Sequence, residues 1–321
     1  MGDKGEREHP ILSGESWVCF RDELDALAAS TKSQYITAFS RFLDYSGYNT
    51  ETLYNEHKAN CDDADPRAKK RLPRKVREYE NHLIGDLHKS TGTARTVEKA
   101  ISKFFRANEL PFRMNGGGVE VVTEEISSIT KQQILKILSA TGSYKIKAFF
   151  NFAKDSGLRV GDITNIPIKL LREAIDNPEI GFYTFTLRQQ KTKRFADPVI
   201  GPDALNSLRE WMKYRTEHEK LTAGPDDALF CIERTRRGYT NKKGRVVKAT
   251  NAGEYMDESN MGILFAQLVK KADLERDING KLPSIHSLRK YHKTNLEYNG
   301  VPTSWVNKMQ GRKGAGTGGA Y

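Results

Sequence analysis

The sequence predicts a mainly α protein with a small β-sheet in its second half, divided into two domains about a third of the way along. Three observations carry this expectation. Apolar residues recur at helical spacing over most of the chain, strand-like stretches are confined to residues 182–200, and Asn115-Gly116-Gly117-Gly118 interrupts both patterns. Consecutive glycines resist regular structure, so a flexible linker is expected over 115–120. It would separate a helical domain over 1–114 from a mixed α+β domain over 121–321. A chain of 321 residues can bury a core in each.

In the first domain, Tyr35, Phe39, Phe42 and Leu43 follow Thr31 at helical spacing, and Gly47 ends that segment. Val97, Ile101, Phe104 and Phe105 mark a second helix, opened by Ser90, Thr91 and Thr93 with Arg95. Between them lies PRAKKRLPRKVREYE, where Arg67, Lys69, Lys70, Arg71, Arg74, Lys75 and Arg77 surround two prolines. That run reads equally as a solvated loop leading into a helix near Pro73 and as a set of phosphate contacts. The amides opening the Ser90 helix offer a second phosphate-binding feature.

In the second domain, Thr123 to Leu138 reads as a helix pair and Ile146 to Ser156 as a buried, Phe-rich helix. Phe182–Leu187 and Phe195–Ile200 read as two short strands joined by the basic turn RQQKTKR. Helical period returns over Ala204–Tyr214, Met261–Ala272 and Ser287–Tyr298. Arg234 to Thr250 is basic and turn-rich without a clear period.

Composition narrows the function. The chain is 37% hydrophobic and 29% charged, with no stretch near the roughly 18 apolar residues that span a bilayer. Its N-terminus lacks an apolar signal region, so a cytoplasmic protein is expected. The net charge of +11 and a pI of about 9.4 favour a polyanionic partner. Cys19, Cys61 and Cys231 are odd in number and scattered, which fits neither a disulfide framework nor a metal site.

Four local patterns have chemical content. In DSGLRVGDI, Arg159 sits at a helix junction, where a guanidinium can be fixed and still face a cleft. The basic turn carries Lys191, Lys193 and Arg194. In HSLRKYHKTNL, His286 and Arg289 are three residues apart and share a helix face, pairing a titratable imidazole with a phosphate-matching fork; His292 lies off that pair. QGRKGAGTGGAY ends at Tyr321. Its Gly314, Gly316 and Gly319 match a dinucleotide fingerprint formally, but no strand precedes them, so a flexible tether for the tyrosine is the better reading. Each pattern alone is commonplace.

Together, and in this order, they resemble the catalytic set of tyrosine recombinases, the phage-type integrases. GLRVGDI resembles the first-arginine motif, with Asp162 as its acidic companion, and His286-Ser287-Leu288-Arg289 matches HxLR. Members typically place Gly-His nine residues before the tyrosine. Gly311-Arg312 stands there instead, resembling archaeal viral and plasmid integrases. The resemblance covers most of the chain from about Ser30 and implies a helical core-binding domain that clamps DNA, followed by the mixed α+β catalytic domain.

The resemblance implies that Tyr321 attacks a DNA phosphorus to give a 3′-phosphotyrosine and a free 5′-hydroxyl, conserving the bond energy without ATP. Arg159 and Arg289 would stabilise the phosphorane, and Arg312 would add a hydrogen bond in place of the usual His. His286 would assist at the tyrosine hydroxyl or hold the phosphate. Lys191 would protonate the leaving oxygen, with Lys193 the alternative. No metal or other cofactor is implied. The expected partner is a double-stranded recombination site, gripped by Arg67, Lys69, Lys70, Arg71, Arg74, Lys75, Arg95, Lys193 and Arg194, with a tetramer assembling on two such sites. Relatives usually continue past the tyrosine into a segment that docks on a neighbouring protomer, so a chain lacking it is expected to assemble poorly. Two other readings stay open: relaxation of supercoils by a type IB topoisomerase, and a DNA-binding relative that has lost catalysis. Tyr239, Tyr255, Tyr291 and Tyr298 are rival nucleophiles, read as packing or surface residues.

Overall fold

The computed structural model describes residues 11–114, 129–240, 249–277 and 280–313, with the backbone of 246–247. The linker expected over 115–120 lies outside them. Packing divides the chain into two compact units, residues 1–124 and 125–321.

The first unit consists, among the described residues, of α1 (Glu15–Asp25), α2 (Ala29–Ser46), α3 (Thr50–Asp62), α4 (Arg71–Gly85) and α5 (Thr91–Ala107). Side-chain caps set two of the starts. Asn49 accepts from the Thr52 amide in a capping box, and Ser90 accepts from the Thr93 amide. Gly47 ends α2 in the left-handed region at φ 72°, where a side chain would be strained. The core is aromatic. Phe20 of α1 meets Phe39 of α2 at 5.0 Å and Phe104 of α5 at 5.5 Å between ring centroids, both edge to face. Each such buried ring contributes roughly 1.5–3 kcal/mol.

The basic run enters α4 through a 3-10 turn at Ala68–Lys70. Pro73 falls in the first turn of the helix, where its missing N–H costs no bond. Leu72, Val76, Tyr79 and Leu83 face inward, leaving Arg67, Lys69, Lys70, Arg71 and Arg74 exposed, as is Arg95 on α5. Lys75 instead lies over the Tyr48 ring at 4.0 Å, and Arg77 lies 3.5 Å from the buried Glu80 carboxylate.

The second unit contains α6 (Lys131–Ser139), α7 (Tyr144–Ser156), α8 (Val160–Ile163), α9 (Arg172–Asp176), β1 (Tyr183–Thr184), β2 (Leu187–Arg188), β3 (Phe195–Ala196), β4 (Val199–Ile200), α10 (Pro202–Glu217), β5 (Tyr239–Thr240), β6 (Val246–Val247), α11 (Glu258–Lys271), α12 (Ile285–Tyr298) and α13 (Thr303–Gln310). Its core is centred on α7 packed against α10. Phe149, Phe152 and Trp211 are fully buried there, and the Trp211 indole donates to the Leu229 carbonyl at 2.9 Å.

Of the helix pair expected over 123–138, the described residues hold the helix Lys131–Ser139, started by the Thr130 capping box with Gln133, and residues 123–128 lie outside them. Two expectations are corrected. The two strands of the hairpin are each broken in the middle. β1 pairs with β4 and β2 with β3, antiparallel, while Pro198 lacks an amide for the ladder and the Thr186 and Asp197 side chains bond each other at 2.7 Å. The stretch read as irregular holds an antiparallel pair, Tyr239 opposite Val247 and Thr240 opposite Val246, closed by a bridge from Arg236 to Thr250. Tyr239 and Thr240 are both exposed, so neither face of β5 is buried and it carries no period-2 apolar signal. Among the described residues no helix is long and apolar enough to cross a membrane.

Candidate active site

Two helix ends and one β-turn form the site. The buried helix α7 stops at Gly157, which is left-handed at φ 58° and returns its amide to the Ala153 carbonyl. Arg159 then caps α8 with its side chain about a quarter exposed. Helix α13 ends in the same way at Gly311, φ 60°, so that Arg312 follows a tight reversal and bonds its amide to the Asn307 carbonyl. Both glycines are required by space as well as by φ. A Cβ on Gly157 would lie 2.5 Å from His292 Nδ1, and one on Gly311 would lie 2.6 Å from the Gln189 side chain.

Arg289 projects from α12 between these two ends and is almost fully buried. Its guanidinium donates to the Gly157 carbonyl at 2.7 Å and to the Gln310 carbonyl at 2.9 Å. Gln310 answers from its side chain, donating to the Arg289 carbonyl at 3.0 Å and to His292 Nδ1 at 2.9 Å. The turn after β2 docks on the same cluster. Gln189, fully buried, accepts from Arg159 at 2.7 Å and from the Thr192 hydroxyl at 2.7 Å, and donates to the Gln310 carbonyl at 2.8 Å. Asp162 accepts from the Gln190 amide at 2.9 Å. Lys191, Thr192, Lys193 and Arg194 stand exposed on the turn, with Lys193 left-handed at φ 56°.

The electrostatics are those of an anion site. Burial, then Arg159 and Arg312, push the Arg289 pKa down to about 9. Burial and Arg159 lower Arg312. Desolvation of its ring, followed by Arg289, Arg312 and Arg159, lowers His286, whose outer face stays open to solvent. His292 drops to about 4, through burial first and then Arg289 and Arg312. Asp162 is a buried carboxylate in this group, 3.8 Å from Arg159, and its Oδ2 has no hydrogen-bond partner. Like charges this close disfavour one another, and an anion bound among them relieves that cost. Among the described residues no group of three or more His, Cys, Asp and Glu is placed to hold a metal ion.

Arg159, His286, Arg289 and Arg312 are thus brought together, with the Lys191 turn anchored beside them. Tyr321 lies outside the described residues. Of the other tyrosines, Tyr255 donates to the Asp226 carbonyl, Tyr239 is bonded by Arg236, Tyr291 packs on the core and Tyr298 is exposed. The residues that sequence reading passed over are the interior amides Gln189 and Gln310, together with His292. The signal for His292 was present, since it follows Arg289 by three residues, one turn further along the same helix.

The phage integrase family model matches residues 127–321, more than half of the chain. The chain belongs to the phage integrase family. A curated relative, the tyrosine recombinase XerC-like protein of Caldanaerobacter subterraneus subsp. tengcongensis, is 24% identical over 207 residues, 60% of this chain and 49% of that protein. The chain therefore spans about half the length of the curated relative it matches. Among solved structures, a lambda integrase tetramer bound to a Holliday junction aligns with a TM-score of 0.60 at 15% identity, covering 94% of this chain and 74% of that one. The XerH site-specific recombinase bound to palindromic difH substrate, in a post-cleavage complex, aligns at 0.57 and 15% identity, covering 96% and 91%. At such identities the likeness is one of fold: mainly helical, with small two-stranded sheets.

Proposed function

We propose that the protein is a site-specific DNA recombinase that cleaves and rejoins DNA through a tyrosine, without a metal. The observation that carries this is the convergence of Arg159, Arg289 and Arg312 with His286, of which Arg289, Arg312 and His286 are lowered in pKa by burial and then by neighbouring guanidiniums, with little negative charge to balance them. A scissile phosphate supplies the missing anion. Its non-bridging oxygens gain charge as the phosphorane forms, so guanidiniums fixed in advance stabilise the transition state more than the ground state.

In this reading Tyr321 attacks phosphorus, forming the 3′-phosphotyrosine as the bond to the 5′-oxygen breaks. The tyrosine proton leaves with help from His286, whose lowered pKa leaves it neutral and able to accept. Lys191 gives a proton to the departing 5′-oxygen. Arg312 stands where relatives place a histidine, as in archaeal viral and plasmid integrases, and its role is electrostatic because a guanidinium shuttles no proton near neutral pH.

The partner is double-stranded DNA. The helical domain over 1–114 clamps it through Arg67, Lys69, Lys70, Arg71, Arg74, Lys75 and Arg95, while the turn of the second domain adds Lys193 and Arg194. Two sites would be joined within a tetramer, the assembly in which the lambda integrase neighbour was crystallised.

The test uses a nicked suicide duplex carrying a site that the wild-type chain selects from a randomised pool, in EDTA. A denaturation-resistant adduct with wild type and none with Tyr321→Phe is expected. Binding without an adduct would replace the enzyme by a DNA-binding relative. An adduct with relaxation of supercoils but no two-site exchange would replace recombination by topoisomerase activity.

A further inference from the structure

Gln189 occupies an unusual place in the site. It is an uncharged side chain with no exposed surface, at the base of an otherwise exposed turn. The backbone of the turn closes on it from both sides, its amide donating to the Arg194 carbonyl at 2.8 Å and its carbonyl accepting from the Lys193 amide at 3.0 Å. Its side chain reaches away from the turn to two other segments. Oε1 accepts from Arg159 at 2.7 Å, while Nε2 donates at 2.8 Å to the Gln310 carbonyl, the oxygen that also receives Arg289. Oε1 has a second donor in the Thr192 hydroxyl, next to Lys191. The orientation of this amide is unambiguous, because a guanidinium can only donate and a carbonyl can only accept. Gly311 is glycine at the point where the Gln189 side chain packs against its backbone.

We propose that Gln189 is a positioning residue that ties the lysine turn to Arg159 and to the Gln310–Arg312 reversal, so that proton donor and phosphate-binding cations address the same phosphate. A turn exposed over Lys191–Arg194 has little packing to fix it. These side-chain bonds, with the Asp162 bond to the Gln190 amide, set its place relative to the arginines. A neutral amide suits the task. A carboxylate at Gln189 would pair with Arg159 and neutralise the charge meant for the phosphate.

The inference rests on the recombinase reading, and its test separates the two. In cleavage the tyrosine oxygen gives up its proton with help from His286 and bonds to phosphorus, the bond between phosphorus and the 5′-oxygen breaks, and the leaving oxygen takes a proton from lysine. With sulfur in the bridging 5′ position the leaving thiolate departs without that proton. A residue that aligns the proton donor therefore matters less on the sulfur substrate, whereas partial unfolding would depress both substrates equally. Selected suicide duplexes with oxygen or sulfur at that position are incubated with the full chain, and initial rates of adduct formation are compared.

Gln189→Ala is expected to slow adduct formation by about 100-fold on the oxygen substrate, a cost typical of catalytic groups misplaced by about 1 Å. The deficit should shrink by about tenfold or more on sulfur, with duplex affinity little changed. Thr192→Val, an exposed change that does not threaten folding, should lose roughly fivefold on oxygen and nothing on sulfur. Wild-type rates from both variants, or deficits equal on both substrates, would overturn the proposal while a wild-type adduct keeps the recombinase reading intact. No wild-type adduct on either substrate would remove both together.

Discussion

Protonation of His292 tests the architecture that holds Arg289. Gln310 Nε2 must donate to the Arg289 carbonyl, so the same nitrogen faces His292 Nδ1 and that ring atom must accept. The ring is therefore neutral, with its proton on Nε2. Acid would put a second donor against the Gln310 amide, in a buried space already next to Arg289. The folded pKa of about 4 lies below the ordinary value of 6.5, so the unfolded chain takes up this proton first as the pH falls. The stabilisation is complete above pH 6.5 and is lost as the pH drops toward 4. A gap of this size corresponds to roughly 3 kcal/mol in all, and roughly 2 kcal/mol by pH 5. Urea unfolding followed by fluorescence, which senses the buried Trp211, should be run on wild type and His292→Gln at pH 7.5, 6 and 5. The variant should be less stable at pH 7.5, and the difference should narrow by roughly 2 kcal/mol at pH 5, since every other titrating group cancels in the comparison. Parallel profiles would refute the neutral, buried histidine and with it the fixed orientation of Gln310.

Other predictions follow from the same structure. Glu80 is fully buried, neither of its oxygens accepts a hydrogen bond, and burial, offset only in part by Arg77, raises its pKa to about 7. For this acid the stabilisation is present below pH 4.5 and fades as the pH rises to 7, so Glu80→Gln should gain up to roughly 3 kcal/mol on wild type between pH 4.5 and 8 in thermal or urea unfolding. Sulfate should raise the melting temperature above chloride at matched ionic strength, and Arg289→Met should abolish that difference; equal shifts in both proteins would place the anion elsewhere. Lys191→Ala should slow adduct formation by about 100-fold on the oxygen substrate and recover on sulfur, with Lys193→Ala little affected; the reverse result exchanges the two roles. Neutralising Arg67, Lys70 and Arg74 together should flatten the salt dependence of duplex binding by about 0.9 for each phosphate no longer neutralised, and an unchanged slope would exclude this face from the interface.

The parts of the fold legible in the sequence were those governed by local rules. Phe39, Phe42 and Leu43 reveal α2 because a half-buried helix must repeat its apolar face, and Gly47 reveals its end because a left-handed residue closes it. Arg159 was legible for a similar reason, since the turn Gly157-Leu158 forces a junction there. The interior amides were not. Gln189 reads as one more polar residue in a basic turn, and its carbonyl partner at Gln310 lies 121 positions away. No periodicity marks a polar side chain whose burial is justified only by partners brought in through tertiary folding. Strand β5 escaped for the opposite reason: Tyr239 and Thr240 are both exposed and leave no pattern.

The way the cations are held bears on what they are for. Proteins usually fix a buried arginine with a carboxylate, which satisfies the guanidinium and cancels its charge. Here Arg289 is held by the carbonyls of Gly157 and Gln310, and Arg159 by the amide oxygen of Gln189. These acceptors meet the hydrogen-bonding demand and leave the charge in place. The exception, Asp162, keeps one oxygen on the Gln190 amide and stands 3.8 Å from Arg159, too far for a tight pair. The cost appears in the pKa values of Arg289, Arg312 and His286, lowered first by burial and then by the neighbouring guanidiniums. A fold selected for stability alone would have neutralised this cluster. One that must meet a phosphodiester has to carry the repulsion in the free state and release it when the anion arrives, most of all as negative charge builds on the phosphorane.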